Sequence, residues 1–342
     1  MTYALIFIII FATIVVVHEW GHFIVAKKNG VAVNEFAIGM GPKIWSTKKE
    51  ETLYTIRLLP IGGYCAMEGE NEESCSSKAL TSKTPLQRIA IFAAGALMNV
   101  LLTWILMTLF LGYSGYRSNV IDKIVPDSPI EKAGVVADEI IVAIDDVKVK
   151  TQQQISEAVS TNKEVYKLTI QATDGTIRNL EITPQVNEDG SKLLGFYSKM
   201  GHYNAFEVIW QGLKETIVLL KEVVKGFVML ITGNVSIDEL AGIVGVAQIT
   251  TEVWDVSVQE SIMTAIMNMV RIAALLSANL AVLNLLPFPA LDGGRIFFTL
   301  IELVRGKPLS QQKEAAIHFM GFVLLMVLMV VVLYNDIMRL VA

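Results

Sequence analysis

Four apolar segments limit what this chain can fold into, because each is long enough to cross a lipid bilayer. A hydrocarbon core about 30 Å thick needs roughly 20 consecutive apolar residues in a helix. The 342-residue chain is 53% hydrophobic and only 18% charged, which is too apolar for an ordinary soluble domain. The sequence therefore predicts a multi-pass α-helical membrane protein with four transmembrane helices: Tyr3 to Ala26, Ile89 to Tyr113, Ile272 to Leu291 and Ala315 to Leu333.

Charge and cysteine content argue against other classes of protein. The net charge of −5 is mild and no basic cluster is interleaved with aromatic residues, so we expect no nucleic-acid partner. Cys65 and Cys75 have neither the number nor the spacing of a disulfide framework or a thiolate zinc site. The first apolar segment has no basic residue before it and no small-residue cleavage motif, so we expect it to be retained rather than removed as a signal peptide.

Basic residues between the apolar segments predict the orientation of the chain. By the positive-inside rule, short loops rich in Lys and Arg are cytoplasmic. Residues 114 to 265 and both termini are then expected outside the cytoplasm. The basic residues that support this orientation lie between the first two spans (Lys27, Lys28, Lys43, Lys48, Lys49, Arg57, Lys78, Lys83 and Arg88) and between the last two (Arg295, Arg305, Lys307 and Lys313).

The long segment between the second and third spans has two parts. Short alternating runs separated by turn sequences, from Tyr116 to Val186, predict a small β-rich domain. From Phe206 to Ile231, apolar residues recur at three- and four-residue steps while charged residues occupy other faces, which predicts an amphipathic helix. Such a helix can lie along a membrane surface, cover a membrane-embedded partner or pack on the β-rich domain, and the sequence leaves these alternatives open.

Three ionisable residues, His18, Glu19 and His22, lie inside the first apolar segment in the sequence HEWGH. Both imidazoles project from one face of a helix, and Glu19 lies about 100° around the helix beside them. This HExxH arrangement provides two nitrogen ligands for Zn²⁺ and a carboxylate that can take a proton from the attacking water. Ionisable groups within a spanning helix cost about 2.5–3.5 kcal/mol each on insertion scales, which favours a functional role over a hydrogen-bonded pair of core histidines.

A catalytic zinc also needs a third protein ligand and an open position for water. The third apolar segment ends in NLLPFPALDGGRI, residues 284 to 296, where two prolines must interrupt the helix before Asp292. Irregular backbone at membrane depth is tolerated only where it is buried in protein or lines a wet cavity. We therefore predict Asp292 as the third ligand, in preference to His202 in the outer segment and His318 near the last span. The alternative, a simple helix stop at LDGG, leaves the spacing of Asn284 and the prolines unexplained.

Together these motifs resemble the site-2 protease family, the intramembrane zinc metalloproteases of the RseP and RasP kind. The resemblance is carried by HEWGH, by AGALMNVLL at residues 94 to 102 and by NLLPFPALDGG, and it covers essentially the whole chain. It implies that His18, His22 and Asp292 bind zinc. It further implies that Glu19 is the general base and that Asn284 helps to hold the substrate backbone or the oxyanion.

The same resemblance suggests what kind of domain the β-rich segment forms. VPDSPIEKAGVVADEIIVAID, residues 125 to 145, resembles a PDZ domain, although the usual Gly-Asp is Ala137-Asp138 here. One such domain suggests the Gram-positive branch of the family. The chain also has Gly95-Ala96 where Gly-Pro is common, and Gly242-Ile243-Val244-Gly245 where Gly-Pro-Val-Gly is common.

Residues 35 to 46 and 52 to 70, between the first two spans, resemble the membrane-associated β-hairpins of the family. The edge of such a hairpin could pair with an extended substrate through main-chain hydrogen bonds. Gly62 and Gly63 are accordingly candidate substrate-binding residues. The alternative is a solvated cytoplasmic hairpin.

The expected organisation has an inserted extracytoplasmic PDZ domain between two halves of a membrane protease core. The parts are residues 1–113 (two transmembrane helices and the hairpin loop), 114–190 (the PDZ domain), 191–265 (an extracytoplasmic amphipathic helical segment) and 266–342 (the last two transmembrane helices). The predicted function is a zinc-dependent intramembrane endopeptidase of the bacterial cell membrane, with its active site in the bilayer near the cytoplasmic face.

The resemblance implies single-pass transmembrane substrates, such as an anti-sigma factor or a remnant signal peptide, and contact with membrane lipid. Two other classes of protein remain open. One is a membrane-anchored zincin acting outside the bilayer, against which the apolar flanks VVV and FIVA of HEWGH argue. The other is a non-enzymatic PDZ scaffold or transporter, which a zinc assay would separate from a protease.

Overall fold

Long helices dominate both ends of the chain, whereas most strands lie between residues 116 and 201. The computed structural model describes residues 2–70, 74–160, 163–187, 192–234, 242–307 and 310–341. The described helices are α1 (Thr2–Lys28), α2 (Pro85–Ser114), α3 (Pro129–Lys132), α4 (Gln152–Val159), α5 (Ala205–Ile231), α6 (Ile243–Glu260), α7 (Ile262–Leu285), α8 (Asp292–Arg305) and α9 (Gln311–Val341). The described strands are β1 (Val33–Lys49), β2 (Thr52–Met67), β3 (Tyr116–Ile124), β4 (Ile140–Ile144), β5 (Val147–Lys148), β6 (Tyr166–Gln171), β7 (Ile177–Ile182), β8 (Gln185–Val186), β9 (Lys192–Leu193) and β10 (Phe196–Gly201).

The chain divides into a mainly helical unit and a β-rich unit. The helical unit is Met1–Phe110 with Ile209–Ala342, and the β-rich unit is Leu111–Val208. Within the described residues, four helices of the helical unit are long and apolar enough to cross a membrane. They are α1 over Leu5–Lys28, α2 over Pro85–Ser114, α7 over Ile262–Leu285 and α9 over Gln312–Arg339.

The third of these helices differs from the apolar segment seen in the sequence. It begins at Ile262 and ends at Leu285, not at the expected Leu291. Leu286 is already extended, with ψ 140°, and Pro287 follows it. Proline has no N–H to donate and disfavours the helical conformation in the residue before it. Asp292 therefore begins a separate helix, α8, instead of ending the third span.

The segment between α1 and α2 forms two long paired strands. Residues 35–38 of β1 lie opposite both residues 53–56 and residues 63–66 of β2, so each strand bends back on itself. The bends fall at three glycines with φ between 85° and 87°, a conformation that glycine adopts without steric cost: Gly39, Gly41 and Gly62. The inner side of this structure packs in one core with α1 and α2, while its far end exposes a group of apolar side chains (Met40, Ile44, Trp45, Leu58 and Leu59) that are 50–64% exposed.

The β-rich unit is built on a sheet of strand order β10-β3-β4-β6-β7, in which β5 also pairs with β4. Its core is apolar and includes the fully buried Ile121, Ile141, Tyr166 and Leu168. Because β10 pairs antiparallel with β3, the sheet continues past residue 190, where the sequence placed the end of this domain.

The amphipathic helix α5 packs against the membrane-spanning helix α2. The indole nitrogen of Trp104 donates a hydrogen bond to the carbonyl oxygen of Ile209 at 3.0 Å. A Cβ on Gly212 would lie 3.0 Å from the Cα of Thr108, so a side chain there would prevent this close approach. The helix α5 therefore covers part of a helix that is long and apolar enough to cross a membrane.

The helix α6 packs against α1, α7 and α9 and is capped by a buried carboxylate from α9. Asp336 is 2% exposed and accepts hydrogen bonds from the backbone N–H groups of Gly242 (3.1 Å), Val244 (3.1 Å) and Gly245 (2.9 Å). The first N–H groups of a helix have no partner within the helix, and they favour an anion. The glycine sequence at 242–245 thus begins a helix that is fixed to the last span.

Candidate metal centre

His18, His22 and Asp292 meet at one place in the helical unit. The Nε2 atoms of the two histidines are 3.2 Å apart. Oδ2 of Asp292 lies 3.1 Å from Nε2 of His18 and 3.3 Å from Nε2 of His22. Each histidine is 5% exposed. In the part of the chain that the structure describes, this is the one group of three or more His, Cys, Asp or Glu residues whose ligand atoms are placed to hold a metal ion.

The spacing of these three atoms fits tetrahedral zinc. Zinc bonds of about 2.0–2.1 Å place neighbouring ligand atoms about 3.3–3.4 Å apart, since the edge of a tetrahedron is about 1.63 times its radius. The observed separations of 3.1, 3.2 and 3.3 Å lie close to this edge length. Two imidazoles and one carboxylate are also a ligand set that zinc accepts, and three ligands leave a fourth corner for water or substrate.

The glycine at position 95 allows α2 to lie directly behind the two histidines. A Cβ on Gly95 would lie 2.7 Å from Cε1 and 2.8 Å from Nε2 of His18, and closer still to Nε2 of His22. On the α1 side, a Cβ on Gly21 would lie 2.7 Å from Cγ of Met98. Glycine on both helices therefore permits the close packing that buries the imidazoles. The sequence motif AGALMNVLL contained this signal, but only the structure shows which atoms need the space.

Hydrogen bonds from α2 orient both imidazole rings. Nδ1 of His22 lies 2.8 Å from the carbonyl oxygen of Ile91, which can only accept, so the Nδ1 atom carries the proton. Nδ1 of His18 lies 3.4 Å from the side-chain amide of Asn99. Groups that bind the outer nitrogen of a ligating histidine fix its tautomer and orientation. Asn99 lies in the AGALMNVLL motif, but no spacing in the sequence indicates its contact with His18.

Glu19 lies beside the three predicted ligands without belonging to the cluster. It is half-buried and has no hydrogen-bond partner among the described residues. A Cβ on Gly63 would lie 3.6 Å from Cγ of Glu19, so β2 passes next to this carboxylate. Gly62, the other candidate on this strand, lies instead against Met40, whose Cε would be 3.1 Å from an added Cβ.

Asn284, at the end of α7, also reaches the centre. Its Nδ2 lies 3.2 Å from Nε2 of His18. The structure thus brings together Glu19, Gly63 and Asn284 around the His-His-Asp cluster, although these residues come from three separate parts of the chain.

The turn before Asp292 is held by α9. The backbone N–H of Ala290 donates a hydrogen bond to Nδ1 of His318 at 2.9 Å. Ala290 has φ 77°, which a side chain disfavours. A Cβ on Gly321 would lie 2.5 Å from the carbonyl oxygen of Pro289, so α9 also contacts the turn there. His318 is therefore a neighbour of the turn, not a member of the cluster, and its role depends on a contact that spacing in the sequence could not predict.

The two glycines after Asp292 lie inside the first turn of α8, where they pack against backbone. A Cβ on Gly293 would lie 2.5 Å from the carbonyl carbon of Leu285, and one on Gly294 would lie 3.0 Å from that of Phe288. LDGG is thus the start of a helix, and the alternative of a simple helix stop is wrong. Arg295, one turn further along α8, forms an ion pair with Glu70 and lies over the ring of Phe92.

The geometry defines a class of site: three mutually adjacent ligand atoms, with a free carboxylate at their side, carried by helices long and apolar enough to span a membrane. Comparison with known proteins agrees with that class. Over residues 6–328 the chain matches Peptidase family M50. The chain belongs to this family, that of the site-2 proteases, and it is a zinc metalloprotease.

Several curated relatives match nearly the whole chain. Zinc metalloprotease RasP of Bacillus licheniformis is 32% identical, and the match covers 98% of both chains. Regulator of sigma-W protease RasP of Bacillus subtilis is 31% identical over 98% of both chains. A Clostridium perfringens protein whose name also describes a zinc metalloprotease is 37% identical over 98% of both chains.

Among solved structures, the chain is similar to the PDZ domain of an SdrC-like protein from Listeria monocytogenes. That likeness has 17% identity and a TM-score of 0.21, and it covers 25% of this chain and 86% of the other. A TM-score this low does not identify the fold of the β-rich unit.

Proposed function

We propose that this protein is a zinc endopeptidase that cleaves transmembrane segments of single-pass membrane proteins within the bilayer. The observation that carries the proposal is the position of the His-His-Asp cluster on α1. His18 lies inside the apolar span Leu5–Lys28, about 20 Å along the helix from Leu5 and about 15 Å from Lys28. Both distances support a position for the cluster inside a hydrocarbon core of about 30 Å.

The basic residues that follow α1 support a position nearer the cytoplasmic face. Lys27 and Lys28 end the span, and further basic residues lie in the loop that follows. Under the positive-inside rule, this loop is cytoplasmic and the β-rich unit is extracytoplasmic. We infer that the β-rich unit is a PDZ domain and that the site opens toward the cytoplasmic half of the bilayer.

Glu19 is proposed as the general base. Its half-buried carboxylate has no hydrogen-bond partner in the described part of the chain, which leaves it free to accept a proton from the attacking water. The same carboxyl group can then donate that proton to the leaving amine. When bound by His18, His22 and Asp292, zinc supplies Lewis acidity to the water and to the carbonyl under attack. The side chain of Asn284, next to His18, can donate to the carbonyl oxygen as it gains negative charge.

The strand β2 provides a place for an extended substrate. A peptide bond is inaccessible to attack while its segment is helical, so the substrate must unwind near the cut, and residues of low helix propensity there should help. At position 63 the strand passes beside Glu19, where an added Cβ would lie 3.6 Å from Cγ of Glu19. A substrate that adds to this strand would gain main-chain hydrogen bonds at the base itself, with little demand on its side chains.

The class of substrate is inferred from the relatives. A match named Regulator of sigma-W protease suggests that this chain also acts on a regulator of transcription, such as an anti-sigma factor held by one transmembrane helix. Remnant signal peptides also consist of a single apolar helix. A site that binds its substrate through main-chain hydrogen bonds would accept them equally well.

The decisive experiment maps the cut on a single-pass substrate in proteoliposomes. We expect mass spectrometry of the products to place the cut inside the apolar segment. The Glu19→Gln variant should keep its zinc and lose cleavage, because an amide cannot act as the base. Glu222→Gln, at an exposed position on α5, is the matched control and should cleave normally.

Two results would contradict the proposal. A cut outside the apolar segment would indicate a membrane-anchored zincin that acts in water. Loss of zinc in Glu19→Gln would show that Glu19 is a ligand and not the base.

A further inference from the structure

Asn99 of α2 is a fully buried polar residue directly behind His18. Its side chain is 0% exposed, and Nδ2 lies 3.4 Å from Nδ1 of His18. In this position Oδ1 has no hydrogen-bond partner among the described residues. Oδ1 is thus an acceptor not engaged elsewhere, next to His18, and a buried acceptor left unsatisfied costs about 1–3 kcal/mol.

A half-turn of the amide brings this acceptor to face His18. The turn exchanges Nδ2 and Oδ1, which have nearly the same size, and leaves the packing unchanged. Oδ1 then accepts a hydrogen bond from an Nδ1–H group on His18. A proton on Nδ1 leaves the lone pair on Nε2, which is the atom that faces His22 and Asp292. A histidine binds a metal ion only through an unprotonated nitrogen.

His22 already has the equivalent arrangement. Its Nδ1 donates to the carbonyl oxygen of Ile91 at 2.8 Å, which leaves its Nε2 free. Ile91, Gly95 and Asn99 follow one another at four-residue steps on α2, so they share one face of the helix. This face therefore offers an acceptor to each histidine, with a glycine between the two acceptors to make room for the rings.

Hydroxyl groups on two helices fix the position of Asn99. Thr103 and Ser277 both donate to the carbonyl oxygen of Asn99, at 2.8 and 2.9 Å, and both are 0% exposed. Ser277 belongs to α7, the span that ends just before the turn carrying Asp292. Asn99 is thus held between the helix of the two histidines and the helix that leads to Asp292.

We propose that Asn99 is a positioning residue of the metal centre, whose amide oxygen holds His18 as the Nδ1–H tautomer with Nε2 directed toward His22 and Asp292. This inference rests on the ligand set of the proposed function and adds to it a role for the second span. Partners of ligating histidines contribute about 10- to 100-fold to metal affinity in other proteins.

The test is zinc affinity, measured by competition with a chelator on the full chain in detergent. Asn99→Leu keeps much of the volume and removes the acceptor, and we expect it to weaken zinc binding by about 10- to 100-fold. Asn99→Asp keeps an acceptor in the same place and should bind zinc at least as tightly as wild type. Thr216→Val is the matched control, because Thr216 is also 0% exposed and its hydroxyl donates only within α5, to the carbonyl oxygen of Gly212 at 2.7 Å, and the variant should change the affinity by less than about threefold.

The tautomer itself gives a second readout that needs neither zinc nor activity. The chain has four histidines, so their imidazole nitrogens can be resolved by nitrogen-15 NMR of zinc-free protein. We expect the Nδ1–H tautomer at His18 in wild type and in Asn99→Asp, and a mixture of tautomers in Asn99→Leu. If the leucine variant does not fold, Asn99→Ala can replace it, because the smaller side chain leaves a cavity and does not strain the packing. We expect a mixture of tautomers in that variant too.

Unchanged zinc affinity and an unchanged tautomer in Asn99→Leu or Asn99→Ala would overturn the proposal. Equal weakening by Thr216→Val and Asn99→Leu would also overturn it, because loss of a buried polar group in general, and not of this acceptor, would then be responsible. His18→Ala separates these results from failure of the ligand set. If His18→Ala loses zinc, the proposed ligands stand whatever Asn99 does, and if it keeps zinc, the proposed function fails first.

Discussion

The two histidines and Asp292 reach the same point by different means. His18 and His22 lie one turn apart on a regular helix, and their relative position follows from helical geometry. Asp292 follows an irregular turn in which Ala290 has φ 77°. The difference teaches that the geometry of one helix sets the spacing of two proposed ligands, whereas the position of the third depends on contacts from several helices.

Asp292→Ala is expected to have the largest effect, because it removes the one proposed ligand that α1 does not provide. Zinc held by two imidazoles alone should dissociate during purification, and cleavage should fall below detection. Metal content by mass spectrometry, with cleavage of a model substrate, measures both effects. Asp146→Ala, at a carboxylate that is 79% exposed in the β-rich unit, is the control. A full zinc content in Asp292→Ala would show that the third ligand lies elsewhere.

Gly95→Ala tests the histidine side of the comparison. A methyl group there would lie 2.7 Å from Cε1 of His18, so α1 and α2 must separate or the rings must move. Overpacking of this kind costs about 1–3 kcal/mol of stability. Misplacement by about 1 Å can lower a rate about 100-fold, and we expect a loss of cleavage of that order.

The control for Gly95→Ala is Gly226→Ala, on α5, where no heavy atom lies within 4 Å of an added Cβ. Alanine is the better helix former, so this variant should be neutral or slightly more stable. Zinc content and thermal unfolding of both variants decide the comparison. Normal activity in Gly95→Ala would mean that the helix pair tolerates displacement and that helical spacing alone is sufficient.

The sequence predicted the histidine side far better than the turn. HExxH on an apolar segment identifies His18, Glu19 and His22, because a 3.6-residue period relates sequence spacing directly to a helix face. The only sign of Asp292 in the sequence is a carboxylate that follows two prolines. The sequence does not predict that a helix begins at this residue. His318 and Asn99 act through contacts between residues far apart in the chain, and one sequence contains no periodicity that relates them.

His318→Leu tests whether the turn needs α9. Its Nδ1 accepts the N–H of Ala290 at 2.9 Å, and loss of that acceptor leaves the N–H without its partner, at a cost of about 1–3 kcal/mol. We expect weaker zinc binding and slower cleavage, though less than in Gly95→Ala, because Asp292 itself remains. Zinc affinity by chelator competition is the measurement.

Ala290→Gly provides the matching rescue. Glycine adopts a φ of 77° without the steric cost that alanine bears, about 1–2 kcal/mol in the left-handed region. In the His318→Leu background it should restore part of the zinc affinity. A normal His318→Leu variant would show that the turn keeps its shape without help from α9. If His318→Leu is weakened and Ala290→Gly restores nothing, backbone strain at Ala290 is not what the hydrogen bond to His318 offsets.

The smallest effect is expected at Glu51, which joins the turn between β1 and β2 to the end of α1. Lys27 and Lys78 both donate to its carboxylate at 2.8 Å, and these hydrogen bonds lower the pKa of Glu51 to about 2. A carboxyl group whose pKa is lowered by folding stabilises the protein above its unfolded pKa, and that stabilisation is lost as the pH falls toward the folded pKa.

Glu51→Gln should therefore lower Tm slightly, by about 1–2 °C near pH 7, because surface ion pairs contribute little. The difference from wild type should shrink as the pH falls from about 4.5 toward 2. Glu50→Gln, at the neighbouring and more exposed carboxylate 3.9 Å from Lys27, should change Tm less. A difference that stays constant down to low pH would mean that the ion pairs of Glu51 do not stabilise the join between α1 and the strands.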